Sequence, residues 1–176
     1  RDLSLDDVGL VQARNLGWAL SGADRVISSP LRRARETAAM IGPVVEIDER
    51  WVELDYGEYD GRPPSALAPE DWARWRDDPT FAVAGGESLA ALYARTQPAL
   101  QDLAVSARHE TVVVVSHVSP IKAAIAWALD VGVEITWRCH LDQASISRVA
   151  IGPRGPSLKT FNETGHLEAA QPHQIP

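Results

Sequence analysis

The stretch from Ser28 to Ala38 (SSPLRRARETA) constrains the fold of this 176-residue chain more than any other. It places a strand end, a helix start and a cluster of arginines close together. Asp24-Arg25-Val26-Ile27, just before it, suits a short buried strand. Ser29 is a suitable N-cap, and Pro30 a suitable first helical residue, because its absent N–H would have had no partner there. Leu31, Ala34, Ala38 and Ile41 recur at helical spacing, with Arg33 and Thr37 as i,i+4 neighbours off that apolar face. A guanidinium near a helix N-terminus adds a full charge to N–H groups that already favour anions. The segment reads equally as phosphate-binding equipment and as a surface helix with solvated arginines.

Thr111 to Ser116 (TVVVVS) shifts that balance. A continuous β-branched run is expected of a strand buried on both faces of a parallel sheet. His117 follows at once, and Ser119-Pro120 repeats the cap-and-proline arrangement before a helix to Leu129. His117 is therefore expected beyond the carboxyl end of a central strand, where open α/β sheets bind ligands. A lone histidine is more often a structural hydrogen-bonding group, but this position favours function. Lys122 adds a cation to the early turns of the same helix.

Trp51 to Gly61 (WVELDYGEYDG) supplies carboxylates. Glu53, Asp55, Glu58 and Asp60 are all candidate acids, although an exposed loop or edge strand accounts for most of them. Aromatic walls and burial would raise a carboxyl pKa toward that of a proton donor.

Taken together, these segments resemble the histidine phosphatase superfamily, the phosphoglycerate mutase-like proteins, from about Leu5 to Leu167. The S-x-L-x-R-A-x-x-T-A pattern is matched by Ser29, Leu31, Arg33, Ala34, Thr37 and Ala38. An E-x-x-x-G-x-x-x-G pattern is matched by Glu53, Gly57 and Gly61, and a strand ending in Ser-His by Ser116 and His117. Gly86-Glu87-Ser88 and the run from Asn162 to Leu167 also look like the family. The resemblance implies an α/β fold: a three-layer α/β/α sandwich with a mostly parallel central sheet and a small helical cap. It further implies phosphate binding by Arg33 and His117, a general acid at Glu53, and secondary pocket positions at Ser29, Val118 and Lys122. It implies no metal and no cofactor.

Two departures stand out. The family's nucleophile is a histidine in an Arg-His-Gly triplet closing the first strand, and this sequence has no such triplet. The chain opens with Arg1-Asp2-Leu3-Ser4, which corresponds to what precedes the family's first helix. The nucleophile is thus expected upstream, on roughly 20–35 further residues, enough for one strand and a loop. Val118 stands where the family usually has glycine, narrowing the pocket, and Lys122 where arginine is common. No other histidine substitutes. His109 lies in a polar turn, His140 and His166 are not at suitable strand-to-helix junctions, and His173 is in a Pro- and Gln-containing tail. Cys139 lacks the arginine six positions on that a cysteine phosphatase needs, having Ser145 there. There is no GxxxxGK loop, GxGxxG motif or His/Cys metal spacing.

Composition fits one domain, expected over residues 1–167 with a cap insertion at about 62–86 and a tail at 168–176. The expected helices are Leu5 to Leu20, opened by Ser4 and Asp7, then 30–41, Ser88 to about Ala107, and 120–129. Strands are expected at 24–28, 44–47, 111–116, 145–151 and 157–162. In the proline-rich cap, Trp72 and Trp75 are expected to pack rather than touch ligand. A net charge of −7 argues against nucleic-acid binding, so attraction for an anion must be local. No apolar run is long enough to span a membrane. A single cysteine excludes an internal disulfide and suits the cytoplasm. A homodimer is compatible with the sequence.

The resulting expectation is a phosphatase for small phosphorylated metabolites, acting through a phosphohistidine. Phosphoglycerate mutase chemistry is the nearest rival, disfavoured by the short stretch between Glu53 and Glu87. A non-catalytic phosphate-ligand or protein-binding relative is the rival from another class.

Overall fold

A computed structural model of the chain describes residues 2–63, 65 and 67–168. Three parallel strands form its sheet: β1 (Arg25–Ser28) lies between β2 (Glu46–Ile47) and β3 (Val112–Val115). Helices α1 (Asp7–Ala19) and α2 (Arg32–Ile41) pack on each other, and Val26 meets the end of α2 at Gly42. Ile27, Val112 and Val114 pack on the other side, against Ala99, Leu100 and Leu103 of α4 (Leu89–Ser106) and Ala124 and Trp127 of α5 (Val118–Leu129). Three layers result, because a sheet apolar on both faces must be covered on both. An antiparallel hairpin, β4 (Ile146–Gly152) and β5 (Gly155–Glu163), packs on α5, and α6 (Gly165–Glu168) touches α1.

Segment 62–86 contains α3 (Pro69–Asp77), whose Trp75 is buried in a cluster with Leu54, Val83, Leu89, Leu92 and Ala123. Tyr56, Trp72 and Phe81 pack their rings against it. Trp75 is thus a packing residue, as its sequence context suggested. Gly57 has a positive φ of 51°, and a Cβ there would collide with the Ala84 carbonyl oxygen. Only glycine lets the 53–61 loop lie directly on the backbone at Ala84–Gly86.

Several expected boundaries move. Helix α1 is capped by Asp6, whose Oδ1 accepts a hydrogen bond from Gly9 N at 2.8 Å, not by Ser4. Leu31, with extended backbone, is the N-cap of α2, so Ser29 and Pro30 stand outside the helix. Helix α5 starts at Val118 with His117 as N-cap, which puts Ser119 and Pro120 in its first turn. Proline costs nothing there, because first-turn N–H groups have no intrahelical acceptor. The largest difference concerns β3. Its four valines are only half-buried, and the strand is at the sheet edge rather than its centre among the described residues. The unpaired edge borders an apolar cavity of about 190 Å³ between β3, α4, α5 and β4.

Candidate active site

Parallel register assembles one half of the site. Ser28 of β1 stands opposite Val115 of β3, and Ser29 N then donates to Val115 O at 2.9 Å. The two chains leave the sheet side by side at their carboxyl ends. Ser29 and His117 consequently meet, with His117 Nε2 2.7 Å from Ser29 Oγ. Ser29 Oγ also accepts from Leu31 N at 3.3 Å, so its hydroxyl serves the turn into α2 as well as the imidazole. Arg33, in the first turn of α2, projects its charge onto His117.

The acid half is built differently. After β2 the chain makes a 3-10 turn at Glu49–Trp51, and the backbone then carries Glu53 toward the start of α5. Glu53 Oε1 accepts from Leu54 N at 2.8 Å and from Ser119 N at 3.2 Å. The second donor belongs to the first turn of α5, where N–H groups have no intrahelical acceptor. Ser116 Oγ donates to Trp51 O at 2.8 Å, fastening the same loop to the end of β3. Asp55, Glu58 and Asp60 are exposed. Of the four candidate carboxylates, only Glu53 is brought to His117's end of the sheet and into α5's first turn.

His117 is 8% exposed, and its pKa is pushed down to about 4 by burial first, then by the charges of Arg33 and Arg95. The imidazole is therefore neutral at neutral pH. A dianion entering beside it would reverse the balance, since an opposite charge favours the imidazolium. Burial also raises the Tyr56 hydroxyl pKa, with the Glu53 carboxylate the next cause. Val118 is 43% exposed at the start of α5. Lys122 Nζ donates to Thr136 O at 2.9 Å and ties α5 to the 3-10 turn at Val133–Trp137.

The other histidines sit apart from this cluster. His109 is exposed, His140 pairs with Asp142, and His166 Nε2 lies 2.9 Å from the Ala144 carbonyl. His173 and the rest of the expected tail after Glu168 lie outside the described residues. Cys139 Sγ donates to Ile135 O. Among the described residues no group of three His, Cys, Asp or Glu side chains is placed to hold a metal ion. Nor is any described helix long and apolar enough to cross a membrane.

One side chain at the site escaped the sequence reading. Arg95 of α4 reaches the loop that carries Glu53 and donates to three of its carbonyls. The available signal was weak: a single arginine eight positions after Glu87 on an otherwise largely apolar helix.

A family model described as the histidine phosphatase superfamily (branch 1) matches residues 1–164. The chain belongs to this superfamily. It is 33% identical over 176 residues to phosphoserine phosphatase 1 of Hydrogenobacter thermophilus, covering 94% of this chain and 83% of that protein. It is 36% identical over 154 residues to a bifunctional protein of Mycobacterium tuberculosis, covering 83% of this chain but only 42% of that relative's length. The fold matches a phosphoserine phosphatase of Entamoeba histolytica, solved as a variant with phosphoserine. That match has a TM-score of 0.86 at 27% identity and covers 94% of this chain and 87% of the other. Superfamily membership and the α/β architecture therefore agree with the expectations from sequence.

Proposed function

We propose that the protein is a phosphomonoesterase that works through a phosphohistidine, with its nucleophilic histidine on a strand upstream of Arg1. The observation that carries this reading is the convergence of Arg33, Glu53 and His117 at the carboxyl ends of β1 and β3. In the first step, an imidazole nitrogen of the upstream histidine forms a bond to phosphorus and the P–O ester bond breaks. The departing oxygen keeps the electron pair and takes a proton from Glu53. Arg33 and His117 hold the non-bridging oxygens, and positioning with charge stabilisation supplies most of the acceleration in phosphoryl transfer. In the second step, Glu53 removes a proton from water, the water oxygen bonds to phosphorus, and the P–N bond breaks to release inorganic phosphate.

The unpaired edge of β3 supports the upstream strand. A valine-rich strand that is half-buried at an edge has the composition of one covered on both sides. The neighbouring groove is lined by Val112 and Val114 of β3 and by Val149 and Ile151 of β4. Trp51 lines it too; it is 2% exposed, and its Nε1 has no partner among the described residues. A strand lying between β3 and β4 would close the sheet, offer that indole an acceptor, and end beside His117. The relatives' names make small phosphorylated metabolites such as phosphoserine the first substrates to try. The test is rapid quenching of the intact gene product with a ³²P-labelled monoester. Acid-labile, base-stable phosphohistidine with release of inorganic phosphate is expected. Isomerised phosphoglycerate without net release would indicate a mutase, and no labelled protein would indicate a binding module.

A further inference from the structure

Arg95 makes five side-chain hydrogen bonds, three of which converge on the loop that carries Glu53. Its side chain is 22% exposed and faces Glu87, itself 19% exposed, through bonds of 2.7 Å from Nε and 2.9 Å from Nη2. Nη1 donates to Arg50 O at 2.8 Å, and Nη2 to Val52 O at 2.9 Å and Glu53 O at 3.3 Å. The guanidinium fork is thereby filled by one carboxylate and three backbone carbonyls. Glu87 N in turn donates to Asp55 O at 2.8 Å, and Glu58 N to Ala84 O at 3.1 Å. The backbone on both sides of Glu53 is stitched to the start of α4.

We infer that Arg95, held by Glu87, is a positioning residue for the proton donor: it fixes the backbone at Val52–Glu53 so that the Glu53 carboxyl meets the leaving oxygen. The inference rests on the phosphomonoesterase reading and on Glu53 as the acid. Among the described residues the Glu53 side chain takes two backbone hydrogen bonds, both on Oε1. Its orientation is thus decided largely by where its backbone sits. A planar fork that satisfies three carbonyls at once is a function of arginine that a lysine ammonium cannot copy. Misplacement of a catalytic group by about 1 Å can cost on the order of 10²-fold in rate.

The test compares kcat/KM for two esters in the intact gene product. A nitrophenolate leaves without a proton, whereas an alkoxide, as from glycerol 2-phosphate, needs one. Glu53→Gln sets the reference, because losing the acid should impair the alkyl ester far more than the aryl one. Arg95→Met is expected to reproduce that selectivity, with the alkyl ester falling roughly 10–100-fold further than the aryl ester. Arg95→Lys should stay closer to Arg95→Met than to wild type, and Glu87→Gln should show the same selectivity at smaller size. Should Arg95→Met fail to fold, the other two variants carry the comparison. Equal losses on both esters would overturn the positioning role and leave Arg95 a structural clamp. An unselective Glu53→Gln would instead overturn the acid assignment itself.

Discussion

The two halves of the site are made by different means. The Arg33–Ser29–His117 half follows from strand pairing: once Ser28 faces Val115, two strand-to-helix junctions must lie together. The Glu53 half has no such guarantee. Its loop includes two 3-10 turns, at Glu49–Trp51 and Gly57–Tyr59, and is placed by side-chain bonds from distant residues, Arg95 and Ser116. One half inherits its geometry from the backbone ladder, the other from a few polar contacts. On the proposed function, the first half should therefore respond to substitution of Arg33 or His117 itself, and the Glu53 half also to substitutions well behind it.

The sharpest contrast comes from removing each half in turn. Glu53→Gln should lower kcat/KM for an alkyl phosphate by about 10²–10⁴, the usual contribution of a positioned acid, while sparing an aryl phosphate much of that loss. Arg33→Ala should cost about 10²–10³ on both esters alike, since in the proposed mechanism it stabilises charge on the transferring group rather than on the leaving oxygen. Steady-state kinetics with the ester pair checks both. A leaving-group preference in Arg33→Ala would erase the distinction between the halves.

Stability offers a smaller effect with a definite sign. His117 has a folded pKa of about 4, below the ordinary value of 6.5. As pH falls below about 6.5 the unfolded chain takes up a proton that the native imidazole refuses, so stability declines until about pH 4. The full shift is worth about 3.5 kcal/mol at about 1.4 kcal/mol per unit, of which roughly 2–3 kcal/mol falls between pH 7 and pH 4.5. Urea unfolding at pH 7 and pH 4.5 should show wild type losing that much more than His117→Asn over the interval. Identical losses would mean that the imidazole is not held neutral. Smallest of all, Ser29→Ala should cost about 1 kcal/mol, the net worth of the buried bond to His117, read from the same midpoints.

How much of this could be read from the sequence follows the same division. The strands after Asp24 and Thr111 and the helices behind them are legible because apolar periodicity and Ser/Pro punctuation are local signals. The exact caps are less so: Ser29, Ser119 and Ser4 all look like helix starters, yet Leu31, His117 and Asp6 hold those places. A serine can serve a turn or an imidazole as readily as a helix N-terminus. Glu53 could be singled out only through the resemblance, since Asp55, Glu58 and Asp60 have the same chemistry a few residues away. Arg95 was barely legible, because its acceptors are backbone carbonyls some forty residues earlier, and carbonyls carry no sequence signature. What lies along the outer side of β3 was equally hidden, since hydrophobicity reports that a strand is covered and not by what.

The most direct test is a crystal structure of the intact gene product with bound vanadate. The anion should sit at the carboxyl ends of β1 and β3, within hydrogen-bonding reach of Arg33 and His117 and facing the Glu53 carboxyl. A strand beside β3 should present a histidine nitrogen in line with the metal–oxygen bond that mimics the leaving group. Vanadate bound away from these three side chains, or a β3 edge covered by something that brings no histidine to the site, would contradict the account.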